Sequence, residues 1–307
     1  MDNDVHGNEE GQRRSEGRYS RVRRSRKPVC RAAPSSRQVH RVSELPLWLS
    51  VAVKVVFAAM VVVTATAAAE KSGPMIAGLI LAMPLSVGPT YVMLALTASP
   101  HFISVSAVSS MGANAAVALY VAVYVALARR VPMPVSLSLG LLTWFGAAWL
   151  QHRWNPAPVP LLVVSTVFLG TAVLLTRHAL AGRKLLAGAK RWYDLPLRAL
   201  FVGLFAGTVV TVSHLIGPDW TGFLAAFPLV LTTSIVLMHP RVGAAATAAA
   251  LATAIQGIFI YPLAFYLIHL FSEAWGVWWS FLAAIATIVA WAGLVYAWRT
   301  SRRDNRA

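Results

Sequence analysis

Charge is what this sequence has least of: 12% of its 307 residues are Asp, Glu, Lys or Arg, against about 25% in an ordinary soluble domain. Apolar residues make up 57%, and the mean hydropathy is +0.62. The charge is also set apart, since residues 1–46 hold 11 of the 27 Lys and Arg and 6 of the 11 acids. So little charge in the body excludes a soluble globular domain and implies a multi-spanning membrane protein. Within a bilayer the backbone must satisfy its own hydrogen bonds, so long apolar runs mean helices and an all-α fold. Cysteine is almost absent. The single Cys30 excludes an internal disulfide and any multi-cysteine metal site. There is no HExxH, GxSxG, phosphate loop or metal-ligand cluster. Glu70, Asp194, Asp219 and Glu273 all fall at predicted helix ends, so no carboxylate sits deep in the membrane as a proton relay requires. These gaps argue against an intramembrane enzyme, and no cofactor is implied.

What the chain does have is a repeat. Gly73-Pro74-Met75-Ile76-Ala77-Gly78 through Met83-Pro84-Leu85 returns as Gly217-Pro218-Asp219-Trp220-Thr221-Gly222 through Phe227-Pro228-Leu229, both reading GPxxxGxxxAxPL. At the same offset Lys54 meets Arg198. A two-residue slip then aligns Asn114 with Gln256, Tyr124 with Tyr266, and Ala148-Trp149 with Ala290-Trp291. A duplicated membrane unit is the simplest reading.

The expected organisation follows. Residues 1–46 form a disordered basic arm, either a solvated tail or a segment held on anionic lipid headgroups, each basic residue contributing about 1 kcal/mol near the surface. A first four-helix unit covers 47–152, with helices over about 47–69, 74–99, 101–128 and 134–150. Its first helix is read as retained, although its small-residue end also resembles a cleavable signal. A linking segment, 153–194, holds a fifth helix over about 159–176 and then an amphipathic basic stretch suited to a headgroup layer. The second four-helix unit covers 195–298, with helices at about 197–214, 218–238, 243–270 and 275–298 and with Trp275, Trp278, Trp279 and Trp298 as interface anchors. A basic tail, 299–307, closes the chain. Nine spans put five crossings between equivalent helices, which makes the two units inverted copies. Short basic loops, with Arg129-Arg130 and Arg241 among them, favour a cytoplasmic C-terminus.

Inverted repeats recur in secondary transporters, where the binding site lies near the midplane. Ten residues after the Pro74 start, at about 1.5 Å each, Pro84 falls near the bilayer centre, and Pro228 is its twin. A proline inside a helix leaves the carbonyl four residues back without its donor. Ser86 and Thr90 follow the first proline, and Thr232, Thr233 and Ser234 follow the second. Asn114 and Gln256 are amides halfway along the third and eighth helices. Together Pro84, Ser86, Thr90, Asn114, Pro228, Thr232, Ser234 and Gln256 would line a polar seam. The plainer reading is that they are interhelical glue. Gly78 and Gly222 suit close helix approach. His214 and Asp219, around the Gly217-Pro218 break, form either an interfacial pair or a solvated interface.

With Ile76-Ala77-Gly78-Leu79-Ile80, Pro84 after it, Lys54 before it and Ala148-Trp149 in the last helix, the first unit resembles the GlpM-type small inner-membrane proteins of bacteria. The second unit is similar but has Thr221-Gly222-Phe223-Leu224 where the first has the IAGLI run. The resemblance covers roughly residues 50–151 and 195–298. It implies a bacterial inner membrane, a four-helix unit duplicated and fused, and no catalytic residues. Two functions are open: a permease-like protein carrying an unknown small-molecule substrate, or a non-transporting scaffold or accessory subunit for envelope assembly. The lipid bilayer is the expected partner, a homodimer is compatible, and nucleic acid is not expected.

Overall fold

The computed structural model describes residues 47–71, 87–180 and 194–304. The arm, the start of the second expected helix with Pro84 and Ser86, the amphipathic stretch 181–193 and the last three residues lie outside that description. The chain divides into two compact units, Met1–Arg41 and Val42–Ala307, and the second holds all the described residues.

The regular structure of the described residues is helical, as a backbone without water partners requires. The helices are α1 (Leu47–Lys71), α2 (Val87–Thr97), α3 (Pro100–Leu127), α4 (Met133–Trp154), α5 (Pro158–Thr176) with a 3-10 turn at Arg177–Leu180, α6 (Asp194–Ala225), α7 (Leu229–Ile258), α8 (Tyr261–Ala274) and α9 (Val277–Asp304). Prolines begin several of them, because their missing N–H is one a helix start leaves unpaired anyway. At α3 the Ser99 side chain also accepts from the Phe102 N–H at 3.2 Å, with Pro100 beginning the helix, a cap of the usual kind.

By length and composition six helices are apolar enough to cross a membrane: Pro100–Leu127, Met133–Trp154, Pro158–Ala179, Pro196–Ala225, Leu229–Ala274 and Val277–Ala297. Two shorter apolar stretches are Val51–Val61 and Val87–Thr97. The expectation of an all-α membrane protein therefore holds, and the count of nine spans is corrected to six among the described residues. The repeat layout is corrected with it. Of the expected 74–99 helix only Val87–Thr97 is described, 11 residues or about 16 Å of rise, which is short of a roughly 30 Å hydrocarbon core. The boundaries expected between 197–214, 218–238 and 243–270 fall at the non-helical Gly217 and Gly243, and two further breaks, after Ala225 and Ile258, divide the chain again. Each of those breaks precedes a proline, Pro228 or Pro262, that cannot donate to the turn before it.

Two glycines turn the chain inside helices. Gly217 has φ 77° and ψ 173°, and Gly243 has φ 80° and ψ 166°, conformations that only a residue without Cβ takes at little cost. At Gly217 the chain folds back: the Thr221 hydroxyl lies 3.5 Å from the Ser213 carbonyl, whereas eight residues of straight helix span about 12 Å. The stretch 218–225 then runs alongside α3 in the same direction. Ser106 meets Pro218, Ser110 meets Gly222, Tyr120 meets Thr232 and Tyr124 meets His239. After Gly243 the direction reverses, and α8 descends antiparallel to α3 with His269 beside Ser104 and Glu273 beside His101.

Helix α3 is the centre of this arrangement. In its most apolar window 67% is buried, against 22% in α4 and in α9. One core cluster joins its upper half, Ala113 to Val125, to Trp144, Leu169, Phe223, Ala226 and Ile235. Another joins its lower half, Ile103 to Met111, to Tyr91, Leu94, Val210, Phe265 and Phe281. The α3 backbone comes close to that of 218–225, where a Cβ on Gly222 would collide with the Ser106 carbonyl and lie 2.9 Å from the Ser109 Cβ. Backbone cannot give way as a flexible side chain can. Gly222→Ala is therefore expected to lower stability by about 2 kcal/mol or more, read as a fall in the thermal unfolding midpoint of the detergent-solubilised protein. A midpoint like the parent's would contradict the packing described.

Candidate functional site

The site is built around a break in the ascending segment between Ala225 and Leu229. Pro228 has no N–H, and the bonds around it are short-range. Phe227 N–H donates to Leu224 O at 2.9 Å, and Leu229 N–H donates to Phe227 O at 2.7 Å. Neither donor reaches the carbonyl four residues back, so Phe223 O and Ala225 O lose their helical partners. Pro228, at φ −74° and ψ 48° with no side-chain cap, sits near the inverse γ-turn conformation. The expected interruption at Pro228 is thus a full break, with one helix ending and another beginning.

Register with α3 fixes the depth of the break. Gly222 pairs with Ser110 and Thr232 with Tyr120. Asn114, one turn above Ser110, is therefore level with Ala226. It lies where the two core clusters meet, between Met111 of one and Val117 of the other. Asn114 is 4% exposed, and its Nδ2 is a buried donor without a hydrogen-bond partner. The Trp144 Nε1 is a second such donor, in a side chain 1% exposed. The Trp144 ring meets Phe227 edge-on at 5.1 Å, and Phe205 and Phe145 meet the same phenylalanine at 5.4 and 6.0 Å. Aromatic rings thus flank the break, and the two residues with unused donors lie beside it.

The other sequence-predicted residues fall around this point in different ways. Pro84 and Ser86 lie outside the described residues. Thr90 is buried in α2, one residue from Tyr91, whose hydroxyl bonds Ser110 at 2.7 Å. Thr232 is one turn past the break and bonded to the Tyr120 hydroxyl at 3.1 Å. Ser234 donates to Val230 O and accepts from an Arg198 guanidinium N–H at 3.2 Å, so it holds Arg198 rather than facing open space. Thr233 donates to Leu229 O at 2.9 Å. Gln256 is half-buried, and its backbone carbonyl accepts from the Trp291 indole N–H at 3.0 Å. In place of a His214–Asp219 pair, Asp219 accepts from Ser109 at 3.0 Å and His214 is exposed.

Residue-by-residue reading missed Trp144 and the serine row of α3. Ser106, Ser109 and Ser110 bind Pro218 O, Asp219 and Gly222 O at 3.0, 3.0 and 2.7 Å, tying the lower half-helix to α3. Both had a signal. Four serines within Ser104–Ser110 mark a close-packed helix face, and a tryptophan halfway along an apolar helix, away from either interface, marks an interior role.

No family model, no curated protein and no solved structure matches the chain. Fold and site define it as an all-α integral membrane protein of the multi-pass kind. The resemblance to GlpM-type proteins rests on its short motifs alone.

A buried donor without a partner destabilises. If Asn114 is kept for something other than packing, Asn114→Leu, which removes the unpartnered donor at similar volume, should raise stability by about 1 kcal/mol, in thermal unfolding of the detergent-solubilised protein. Clear destabilisation would mark it as helix glue.

Proposed function

We propose that the chain is a permease-like membrane protein that binds a small molecule at the broken helix. The single observation carrying this reading is the break at Ala226–Pro228, level with the buried Asn114. Irregular backbone at membrane depth persists only where protein or a water-filled cavity satisfies it, and discontinuous helices are how many transporters build midplane sites. The resemblance to GlpM-type proteins favours a bacterial inner membrane. On that reading the end carrying Arg129, Arg130 and Arg241 faces the cytoplasm.

One observation favours the rival, a non-transporting scaffold or accessory subunit. The serine row and Gly222 clamp the lower half-helix to α3, which suits a static bundle.

Water access separates the two. With Cys30 replaced by Ser, Ala226→Cys in native membranes should react with a charged, membrane-impermeant thiol reagent, while Leu142→Cys on the apolar outer face, 65% exposed, should stay inert. An Ala226→Cys protein as unreactive as that control would remove the permease reading.

A further inference from the structure

We infer that the cleft at the arginine-bearing end of the bundle binds the headgroup of an anionic phospholipid, with the lipid phosphate held between Arg129 and Arg130. The cleft has a volume of about 490 Å³ and opens between two reversals of the chain, residues 128–132 on one wall and 242–245 on the other. The first reversal joins a span that ends at Leu127 to one that begins at Met133. It therefore lies at the depth of the headgroups, outside the hydrocarbon.

Bonds to α3 fix both walls. Ala128 N–H donates to Tyr124 O at 2.7 Å, and the Arg130 and Val131 N–H groups both donate to Leu127 O, at 2.8 and 3.1 Å, which sets the arginine turn in place. One turn below, the Tyr124 hydroxyl meets a His239 ring nitrogen at 2.6 Å, which ties the far wall to the near one. At Gly243, with φ 80°, an added Cβ would meet nothing within 4 Å, so the far wall is open at its bend.

Charge and lining together select the ligand. Both arginines are exposed, neither forms an ion pair among the described residues, and no Asp or Glu lines the cleft. Arg130 gives one guanidinium N–H to Ala126 O at 3.2 Å, which leaves most of its fork unused. Two guanidinium groups with no acid beside them repel a cation and match the oxygens of a phosphate. The rest of the lining is Ala, Val, Pro and Gly. Such a surface offers a nucleotide base or a sugar no side chain to bond, and it suits a glycerol backbone and the first methylenes of an acyl chain. A phospholipid joins both properties and is already present at that depth.

Thermal unfolding of the full-length protein in neutral detergent, with added phosphatidylglycerol, phosphatidylcholine or glycerol phosphate, tests this. Phosphatidylglycerol should raise the midpoint. Phosphatidylcholine, whose phosphate is offset by its own cation, and glycerol phosphate, which lacks acyl chains, should raise it far less. Arg129→Gln combined with Arg130→Gln should need about tenfold more phosphatidylglycerol for the same rise above its own baseline. Arg23→Gln combined with Arg24→Gln in the basic arm removes the same charge and should respond as the parent does. Should the cleft pair fail to fold, Arg129→Gln alone must lose response in the same direction. The inference is overturned if phosphatidylglycerol has no effect, if phosphatidylcholine or glycerol phosphate stabilises as well as it does, or if the cleft and arm variants lose response equally. Thiol labelling at Ala226→Cys does not depend on this cleft, so the permease reading stands or falls separately.

Discussion

In a hydrocarbon environment a backbone polar group has no solvent to turn to, and each one left without a partner costs several kcal/mol. That constraint governs this bundle. The segment from Pro218 to Val242 is interrupted at Pro228, and the interruption persists because the stretch before it is held by groups that do not belong to it. Ser106, Ser109 and Ser110 of α3 reach across to Pro218 O, Asp219 and Gly222 O, and Gly222 lets the two backbones come close enough for those bonds to form. Above the break, Tyr120 and Tyr124 hold Thr232 and His239 in the same way. Helix α3 is a rail along which both halves of a broken helix are registered.

A consequence is electrostatic. Where a helix is continuous its terminal partial charges lie at the membrane surfaces, in water. Here the carbonyl end of 218–225 and the amide end of α7 face one another deep in the bundle, each bringing about half a charge. Around them stand aromatic rings and two side-chain donors that no protein acceptor uses. Other buried hydroxyls in the described bundle bond within their own helix or to a neighbour, as Thr176 does to Ala172 O and Ser165 to Met111 O. The contrast with Asn114 and Trp144 is what sets the break apart from ordinary packing.

Much of this was legible before any coordinates, for a local reason. Glycine and proline act on their own backbone, so the turn at Gly217, the break at Pro228 and the extents of α3 and α5 follow from single residues and apolar run lengths. The place of Asn114 halfway along α3 followed from the extent of its apolar run. What could not be read was which face of each helix meets which neighbour. These helices are apolar nearly all round, so no polar stripe marks an outside, and Ser110 and Gly222 are 112 positions apart with nothing local to link them. Trp144 was lost for the same reason, since its value lies in touching Phe227. The span count failed where apolar composition continues through a break: the helix ends at Ala225 and Ile258 carry no change of composition, whereas the interruption near Gly243 was expected.

The central claim is that the helix is open at mid-membrane between Ala226 and Leu231. Hydrogen–deuterium exchange of the full-length protein in lipid nanodiscs tests it directly. The Val230 and Leu231 amides, which no carbonyl accepts, should exchange far faster than those of Gly112 to Ala118 at the same level on the unbroken α3. Equal, strong protection of both stretches would contradict it.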